Sequence, residues 1–581
     1  MPPIELSPEQ QRVLDHAVRV VEAGPGSGKT RALVARFLQS ASATLRGVAL
    51  VSFTNAATEE VRRRTGSAPH LLRAPHFVGT IDAFLHRFIV TPSEVPRLGR
   101  LPRYCPSWDD LPSEISTIRL KAVPGPGIRL SCFRMEQLGD IVLSGLNLAW
   151  EEEQYYRQVE KAGNGDQLRT WAESRIRGLV QSGVYDANTA RVKAFETLNG
   201  PEGDTVVDRL TRRFEEFLVD EAQDCDEAEM SIIRRLADHI RTVIVADPDQ
   251  AIFEFRGSRP ELFLRYRDEH EDGCCAQLST NYRSSGSICQ AVTALRAAGV
   301  APIYADSKEK GAPVVILSGS STEQRAKFLD ALHQYGIPPT DAVVLAHKRS
   351  DAAETAGRSQ PEGGSTAMGN RLAAACAVLS RPGSSPTDRL EAVKWMERMI
   401  LLLVEWPDEA LKVGNRDHQL AAIGRRPEWL RNAVAALVTG LQPVTGPDEF
   451  GTTARELLKR VLEPLPLPHR SLGDAVKKPT TEVWTRCKEP MSDTGMLPYD
   501  TVHGAKGSQF PAVLVALGNT LKKTGGWNVL EDWEQGRNTE PRRVLYVAAS
   551  RAEKLLAFGA GPHTDRVAAL LTRHNVPFET R

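Results

Sequence analysis

A glycine-rich turn near the amino terminus, AGPGSGKT over residues 23–30, constrains this chain more than any other feature. An apolar stretch over residues 18–23 predicts a strand before it, and the pattern that follows predicts a helix over residues 29–39. In that setting, glycines allow backbone N–H groups to close around a phosphate at the start of the helix. The sequence therefore predicts a phosphate-binding loop in an α/β fold, although Ala23 stands where the strict motif has glycine.

The chemistry of this loop indicates ATP and Mg²⁺ as its ligands. The ammonium group of Lys29 would reach the β- and γ-phosphate oxygens, and the hydroxyl of Thr30 would coordinate Mg²⁺. The residues of the loop predicted to bind the nucleotide are Gly24, Gly26, Ser27, Gly28, Lys29, Thr30 and Arg31.

A second predicted strand ends in the carboxylates that such a loop needs. Residues 217–219 are apolar and lead directly into Asp220 and Glu221. Sheets of α/β proteins bind their ligands at the carboxyl ends of the strands. We therefore expect Asp220 to hold Mg²⁺ through water and Glu221 to take a proton from the attacking water. This pair of acids predicts hydrolysis rather than nucleotide binding alone.

Apolar strand-like runs recur in both halves of the chain, among them residues 77–80, 314–317 and 342–346. Helix-rich segments interrupt them, and few strand-like runs appear over residues 91–204. This pattern predicts an α/β protein with two cores built on parallel sheets, each interrupted by a mainly helical insertion. Residues 350–370, rich in Ala, Gly, Ser and Glu, predict a mobile surface loop. The predicted domains are a first core (1–90 and 205–283), its insertion (91–204), a second core (284–348 and 490–581) and its insertion (349–489).

Composition narrows the class of protein. The chain has 581 residues, and its 73 Lys and Arg balance its 73 Asp and Glu, which excludes a uniformly basic nucleic-acid coat protein but not a basic groove. The eight cysteines show no metal-binding spacing. The longest apolar run, residues 399–404, is too short to span a bilayer. We expect a cytoplasmic protein without a membrane partner.

The stretch DEAQD at residues 220–224 resembles motif II of superfamily 1A helicases of the UvrD/Rep/PcrA type. That resemblance implies that the two cores are RecA-like P-loop NTPase cores. The other motifs of the family follow in its order, at residues 6–10 (Q motif), 52–57 (Ia), 79–84 (Ib), 246–257 (III), 281–284 (IV), 501–510 (V) and 544–552 (VI).

The resemblance implies further roles at the nucleotide. Gln10 would read the adenine edge, and Tyr282 would stack against the adenine. Gln250 would contact the γ-phosphate, with Arg283 as an arginine finger and Arg551 as the second arginine. Gln509 stands where the family often has an acid that meets the ribose.

The resemblance also implies a track for single-stranded DNA along motifs Ia, Ib, III and V. Aromatic side chains would stack on bases and Arg256 would lie beside them. Asp82 stands where histidine is common in the family, and Phe255 where tryptophan is common. The residues predicted to contact DNA are Phe53, Thr54, Asn55, Thr80, Phe84, Phe253, Phe255, Arg256 and His503.

Together these motifs predict an ATP-dependent translocase and helicase that acts on single-stranded DNA and on single-strand/duplex junctions. The resemblance implies 3′-to-5′ movement and a role in repair, recombination or genome defence. A motor or sensing subunit of a nuclease-linked repair or anti-phage complex, with the nuclease as partner protein, is an alternative. A nucleotide-dependent clamp is disfavoured by Glu221 and the two arginines, and a small-substrate P-loop kinase by the second core.

Overall fold

The computed structural model confirms an α/β chain with two parallel-sheet cores, each interrupted by a largely helical segment. It describes residues 5–53, 61, 69–111, 113–136, 139–143, 148, 150–297, 300–306, 311–357, 368–381, 384, 386–407, 416–488, 495–517 and 529–581. The chain divides into two compact units. The first comprises residues 1–313, 527–554 and 570–577, and the second comprises residues 314–526, 555–569 and 578–581. The division into four domains stays a prediction.

The first unit is built on a parallel sheet, which has six strands among the described residues. In chain order the strands are β1 (Val20–Ala23), β2 (Gly47–Ser52), β3 (Phe77–Thr80), β4 (Phe214–Asp220), β5 (Arg241–Ala246) and β6 (Cys275–Leu278). Their order in space is β6-β1-β5-β4-β2-β3. Both faces are buried, because Val20 packs into one apolar cluster and its neighbour Val21 into another. This explains why these strands are nearly continuous apolar runs.

Helices cover this sheet and connect its strands. The helix after β1 begins at Lys29 and runs to Ala43, four residues beyond the predicted end, and its N-cap is Gly28 in the left-handed region (φ 75°). The helices of this part are Pro8–Arg12, Lys29–Ala43, Ile81–Leu85, Thr91–Leu98, Glu227–Ala237, Pro260–Asp268, Gly286–Ala294, Val529–Glu534 and Glu540–Ala549. A π-helical turn, His86–Val90, joins two of them.

The longer helices of the first insertion lie in its later part. The prediction of few strands there is wrong for residues 103–143, where short ladders pair Ile128 with Ile118 and Phe133 with Leu143, while Arg103 pairs with Val184 further along. Two- and three-residue strands carry too little periodicity to be seen in sequence. The helices are Ser113–Ser116, Trp150–Lys161, Gly165–Gln181, Ala187–Asn199 and Gly203–Arg213.

The second unit carries a sheet that also has six strands among the described residues. In chain order these are β7 (Val314–Leu317), β8 (Ala342–Ala346), β9 (Tyr499–Thr501), β10 (Phe510–Ala516), β11 (Ala552–Gly559) and β12 (Phe578–Thr580). They lie in the order β9-β8-β10-β11-β7-β12. Helix Thr564–Arg573 precedes β12.

A helical insertion with its own apolar core interrupts this sheet. The predicted loop over residues 350–370 is wrong at both ends, because helix Arg349–Thr355 occupies its start and helix Met368–Ser380 its end. Residues 358–367 lie outside the described residues. The helices of this unit before β10 are Ser321–Gln334, Arg349–Thr355, Met368–Ser380, Pro386–Leu402, Arg416–Ala422, Pro427–Leu441, Pro447–Leu462, Leu472–Ala475 and Thr481–Lys488.

No helix among the residues that the structure describes is both long enough and apolar enough to cross a membrane.

A buried ion pair fixes the phosphate-loop helix to the middle of the first sheet. The guanidinium of Arg36 donates to Glu216 Oε1 from Nε at 3.0 Å and from Nη2 at 2.7 Å. Its Nη1 donates to the carbonyl of Val13 at 2.7 Å. Both charged side chains are almost fully buried, so each depends on the other to offset its lost hydration.

We expect Arg36→Met to lower the free energy of unfolding of this unit by about 3–5 kcal/mol, because it leaves the Glu216 carboxylate buried and uncompensated. Arg46→Met, which breaks the more exposed pair with Glu215, is the matched control and should cost about 0–1 kcal/mol. Urea unfolding followed by tryptophan fluorescence measures both. Similar small losses for the two variants would contradict the role given to Arg36.

Candidate functional site

The phosphate loop lies between β1 and the helix that starts at Lys29, and its shape requires glycine. Gly26 and Gly28 adopt φ of 68° and 75°, in the left-handed region that favours residues without a side chain. A Cβ on Gly26 would lie 2.6 Å from Oδ1 of Asn281. Inside the loop, the Ser27 hydroxyl donates to the carbonyl of Gly24 at 2.7 Å, and Asn281 Nδ2 donates to the carbonyl of Pro25 at 2.8 Å.

Three predicted nucleotide residues surround this loop. Gln10 is buried, and its Nε2 donates to the Ser27 carbonyl at 2.8 Å, so it supports the loop directly. Tyr282 donates its backbone N–H to the Gly26 carbonyl at 3.0 Å while its side chain is 45% exposed, as a stacking surface requires. Arg31 is exposed and donates to the carbonyl of Glu5. The roles of Gln10 and Tyr282 at adenine stay predictions.

The structure brings the loop lysine and the β4 acids together. Lys29 Nζ donates to Glu221 Oε2 at 2.9 Å, and the hydroxyl of Thr30 donates to Asp220 Oδ2 at 3.1 Å. Glu221 takes a left-handed φ of 59°, uncommon for a residue with a side chain, at the point where β4 ends. The backbone turn therefore aims neighbouring carboxylates at different groups, Asp220 at the hydroxyl and Glu221 at the ammonium.

Electrostatics at this contact favour an added cation beside Asp220. Burial raises the pKa of Asp220, and the neighbouring charge of Glu221 raises it further, against the opposing effect of Lys29. Burial works to lower the pKa of Lys29, but the charges of Glu221, Asp220 and Asp247 outweigh it and the net shift is upward. Lys29 is therefore fully protonated, while a cation near Asp220 would restore its charged form.

A chain of hydrogen bonds leads from the loop lysine to Arg551. Gln223 Nε2 donates to Glu221 Oε2 at 2.5 Å, and Gln223 Oε1 accepts from the backbone N–H of Asp247 at 3.2 Å. Gln250 Nε2 donates to Asp247 Oδ2 at 2.7 Å, and Gln250 Oε1 accepts from Arg551 Nη2 at 3.2 Å. We call this hydrogen-bonded set the relay; its members are Glu221, Gln223, Asp247, Gln250 and Arg551. Predicted residues from motifs II, III and VI thus share one continuous network.

Two arginines meet at the far end of the relay. Burial and the nearby charge of Arg283 lower the pKa of Arg551 to about 10. Arg283 donates from Nη1 to the carbonyl of Ser550 at 3.2 Å, and burial lowers its pKa against the opposing charge of Glu553. The buried guanidinium of Arg551 and the half-buried guanidinium of Arg283 repel each other, so an anion between them would be favoured. Both arginines lie in the first unit, as Lys29 does.

Sequence reasoning missed the side chains that hold this network in place. The Tyr546 hydroxyl donates to Asp247 Oδ2 at 2.9 Å, and burial together with Asp247 raises the pKa of that hydroxyl. Asp249 accepts from Arg296 Nε at 2.9 Å and from Arg542 Nη2 at 3.0 Å. Tyr546, Asp249 and Arg542 lie inside or next to motifs III and VI, which was their only signal in the sequence, whereas Arg296 lies in no motif. The pairing of each acid with its cation depends on the tertiary structure and is not visible in the sequence.

The predicted DNA contacts other than Phe84 divide into three groups. Phe53, Thr80, Phe253 and Arg256 line one small cavity at the carboxyl ends of β2 and β3. Thr54 and Asn55 lie outside the described residues, as does the side chain of Phe255. His503 and the ribose candidate Gln509 belong to the second unit, and their roles stay predictions.

The prediction for Phe84 is wrong. Its side chain is fully buried and packs against the rings of Phe77, Phe214 and Phe217, at centroid distances of 5.6, 5.7 and 4.9 Å. Such a ring stabilises the core and presents no face to a base. The motif places an aromatic residue here in either case, so only burial separates the two roles.

Comparison with known proteins agrees with this arrangement. The family model of the UvrD/REP helicase N-terminal domain matches residues 6–271, which include the phosphate loop, the β4 acids and Gln250. DNA helicase II of Escherichia coli (strain K12) is 27% identical over 287 residues, which are 48% of this chain and 38% of that protein.

Two further relatives are also helicases by name. The ATP-dependent DNA helicase Rep of Salmonella typhimurium is 25% identical over 50% of this chain and 43% of its own length. An ATP-dependent helicase/nuclease subunit from Natranaerobius thermophilus is 32% identical over 124 residues, 20% of this chain and 9% of that protein. The chain therefore spans about two fifths of the length of the helicases it matches. Residues 6–271 match the UvrD/REP helicase N-terminal domain, and about half of the chain is similar to DNA helicase II, Rep and PcrA.

Proposed function

We propose that this protein is an ATP-dependent translocase on single-stranded DNA that unwinds duplex DNA. The relay is the observation that carries the proposal, because it joins Lys29 of the phosphate loop to Arg551 through Gln250, and Arg283 lies beside Arg551. A site built only to bind nucleotide needs no such connection. The similarity of residues 6–271 to helicase N-terminal domains supports the same reading.

The ion pair between Lys29 and Glu221 indicates how the site would hydrolyse ATP. In the structure Glu221 neutralises Lys29 at 2.9 Å. The β- and γ-phosphates of ATP would compete for Lys29, since a phosphate chain carries more charge than one carboxylate. Glu221 would then be released to orient the attacking water and to accept its proton. Arg283 and Arg551 would stabilise the charge that builds on the γ-phosphate in the transition state.

Mg²⁺ fits beside Thr30 and Asp220. The Thr30 hydroxyl and the Asp220 carboxylate converge to 3.1 Å, and a hydroxyl with a carboxylate is an oxygen ligand set of the kind that Mg²⁺ takes. These two residues would hold the ion, directly or through water. When bound, Mg²⁺ supplies charge neutralisation on the phosphate oxygens.

Coupling of hydrolysis to DNA would run through the segment after β5. Gln250 lies in the turn Pro248–Gln250, and the cavity residues Phe253 and Arg256 follow in the same short stretch. A change in the hydrogen bonds of Gln250 when the γ-phosphate binds or leaves would therefore move the residues proposed to hold bases. Alternating grip of that kind converts hydrolysis into steps along a strand.

A motor subunit of a nuclease-linked complex is the second candidate. The 32% identity with a helicase/nuclease subunit over 124 residues favours it, although that match covers 9% of the relative. In that case a partner protein would supply DNA cleavage, and the relay would have the same chemical role. Purification of the chain from its native cells, followed by a nuclease assay, separates the two candidates.

We expect single-stranded DNA to stimulate steady-state ATP hydrolysis by the purified chain far more than blunt duplex or single-stranded RNA does. Duplexes with a 3′ or a 5′ single-stranded tail then test unwinding, and the 3′-tailed substrate should be opened. Stimulation without unwinding would favour the motor-subunit candidate. Equal hydrolysis with and without every nucleic acid would refute the proposed function.

Lys29→Ala should lower ATP turnover by at least about a hundredfold, because a preorganised cation on the transferred phosphate is lost. The exposed Lys161→Ala is the matched control and should leave turnover unchanged. Circular dichroism checks that both variants fold. Normal turnover in Lys29→Ala would remove the phosphate loop from the site.

Arg551→Ala should lower the maximal rate of hydrolysis by about a thousandfold, the size of effect known for an arginine finger, while ATP still binds. Fluorescent-nucleotide titration measures binding, and a phosphate-release assay measures the rate. The control Arg425→Ala changes an arginine of the second insertion that contacts the Pro464 carbonyl. A parallel loss of binding and rate would instead give Arg551 a structural role.

A further inference from the structure

A cavity of about 50 Å³ opens at the carboxyl ends of β2 and β3, on the proposed DNA track. It has room for one or two water molecules or for the edge of a base, but not for a whole ring. Its lining combines aromatic, cationic and acidic side chains, including Phe53, Thr80, Asp82, Arg191, Phe253 and Arg256.

Asp82 has an unmet hydrogen-bonding capacity in this lining. Its side chain is 23% exposed, yet the Oδ1 atom is shielded from solvent and accepts no hydrogen bond. The nearest cation is Arg191, whose Nε lies 3.5 Å away. That N–H instead donates to the carbonyl of Ala187 at 2.8 Å. A shielded carboxylate oxygen without a donor is costly, so a donor from a ligand would be favoured.

The surroundings select the kind of donor. Arg191 is shared among Asp82, Asp226 and Glu229, with the last two at 3.4 and 3.3 Å from Nη1. Burial and the charge of Asp226 raise the pKa of Glu229 to about 8. Arg134, whose Nη2 lies 3.6 Å from Asp226, shares these acids with Arg191, so three acids face two guanidiniums. A phosphate would be repelled here. A neutral N–H donor would supply the hydrogen bond that Oδ1 of Asp82 lacks, without adding negative charge.

The rest of the lining points to a nucleobase. Phe53 and Phe253 are partly exposed aromatic rings, and the guanidinium of Arg256 lies 5.7 Å from the ring centre of Phe253. A base that stacks on such a surface presents its edge to the cavity. Adenine and cytosine carry an exocyclic amino donor where thymine carries a carbonyl acceptor. The one donor on the pairing edge of thymine, N3–H, is flanked by two carbonyl oxygens that a carboxylate repels.

We propose that Asp82 is a specificity-determining residue that accepts a hydrogen bond from the exocyclic amino group of a base in this cavity. The chain then prefers amino-bearing bases over thymine at one position of the bound strand. The inference rests on the proposed function, because it assumes that single-stranded DNA follows this surface.

The test compares binding of fluorescent oligodeoxycytidine and oligodeoxythymidine of equal length by anisotropy, alongside ATPase stimulation by each. Both are single-stranded pyrimidine strands, and their bases differ at the exocyclic group on C4, at N3 and in the C5 methyl group of thymine. We expect wild type to bind the cytidine strand about tenfold more tightly, the effect of one hydrogen bond to a charged group. Equal binding of the two strands, or binding of neither, would overturn the inference.

Two substitutions assign the preference to Asp82. Asp82→Ala removes the acceptor, and Asp82→Asn adds a donor that thymine can use, so both should bring the ratio of the two affinities close to one. Asp204→Asn is the matched control, since it removes an exposed charge far along the chain that pairs with Arg235. It should tighten both strands equally and keep the ratio.

Strand binding tests the role of Asp82, and ATPase stimulation tests the proposed function. Stimulation of ATPase with no preference between strands keeps the function and refutes the role of Asp82. A preference that Asp82→Ala removes, without any stimulation of ATPase, keeps the role of Asp82 and refutes the motor. Thermal unfolding followed by circular dichroism confirms that each variant is folded when its ratio is read.

Discussion

The ion pair between Lys29 and Glu221 is the contact on which the rest of this site depends. A buried ammonium needs a compensating charge, and Glu221 supplies it at 2.9 Å across the gap between the phosphate loop and the end of β4. The left-handed backbone of Glu221 fixes that direction. Because Gln223 shares the same carboxylate, the pair also anchors the relay that ends at Arg551. Any ligand that takes Lys29 from Glu221 therefore disturbs the whole chain of hydrogen bonds.

Buried charge explains why the site can transmit such a disturbance. Asp247 and Asp249 lie at the end of β5 with almost no exposure, and cations or hydroxyls from distant parts of the chain compensate them. Helix Glu540–Ala549 is tied to the sheet in this way. Arg543 of that helix donates to the Ala251 carbonyl at 2.7 Å and pairs with Glu254. Helix Glu540–Ala549 therefore contacts the segment both before Gln250, at Asp249, and after it, at Ala251 and Glu254.

Local patterns predicted most of the strands and the chemistry of the loop, because both leave contiguous signals. Residues 77–80, 314–317 and 342–346 form strands with the predicted bounds. The same reasoning failed where the sequence pattern is very short or is compatible with two different structural roles. Strands of two or three residues in the first insertion have no readable period, and Phe84 has an aromatic side chain that suits a core as well as a base stack.

The sequence by itself determined that this chain has a phosphate loop, two acids at a strand end and two α/β cores, because glycine, lysine and carboxylate positions act through neighbours in the chain. Tertiary structure alone decided which partners these groups take. It placed Arg283 beside Arg551, connected Gln250 to Arg551 and to Asp247, and left one oxygen of Asp82 without a hydrogen-bond donor. Most of these contacts join residues that lie far apart in the chain. Their energies depend on burial and on distance in space, and the order of residues records neither.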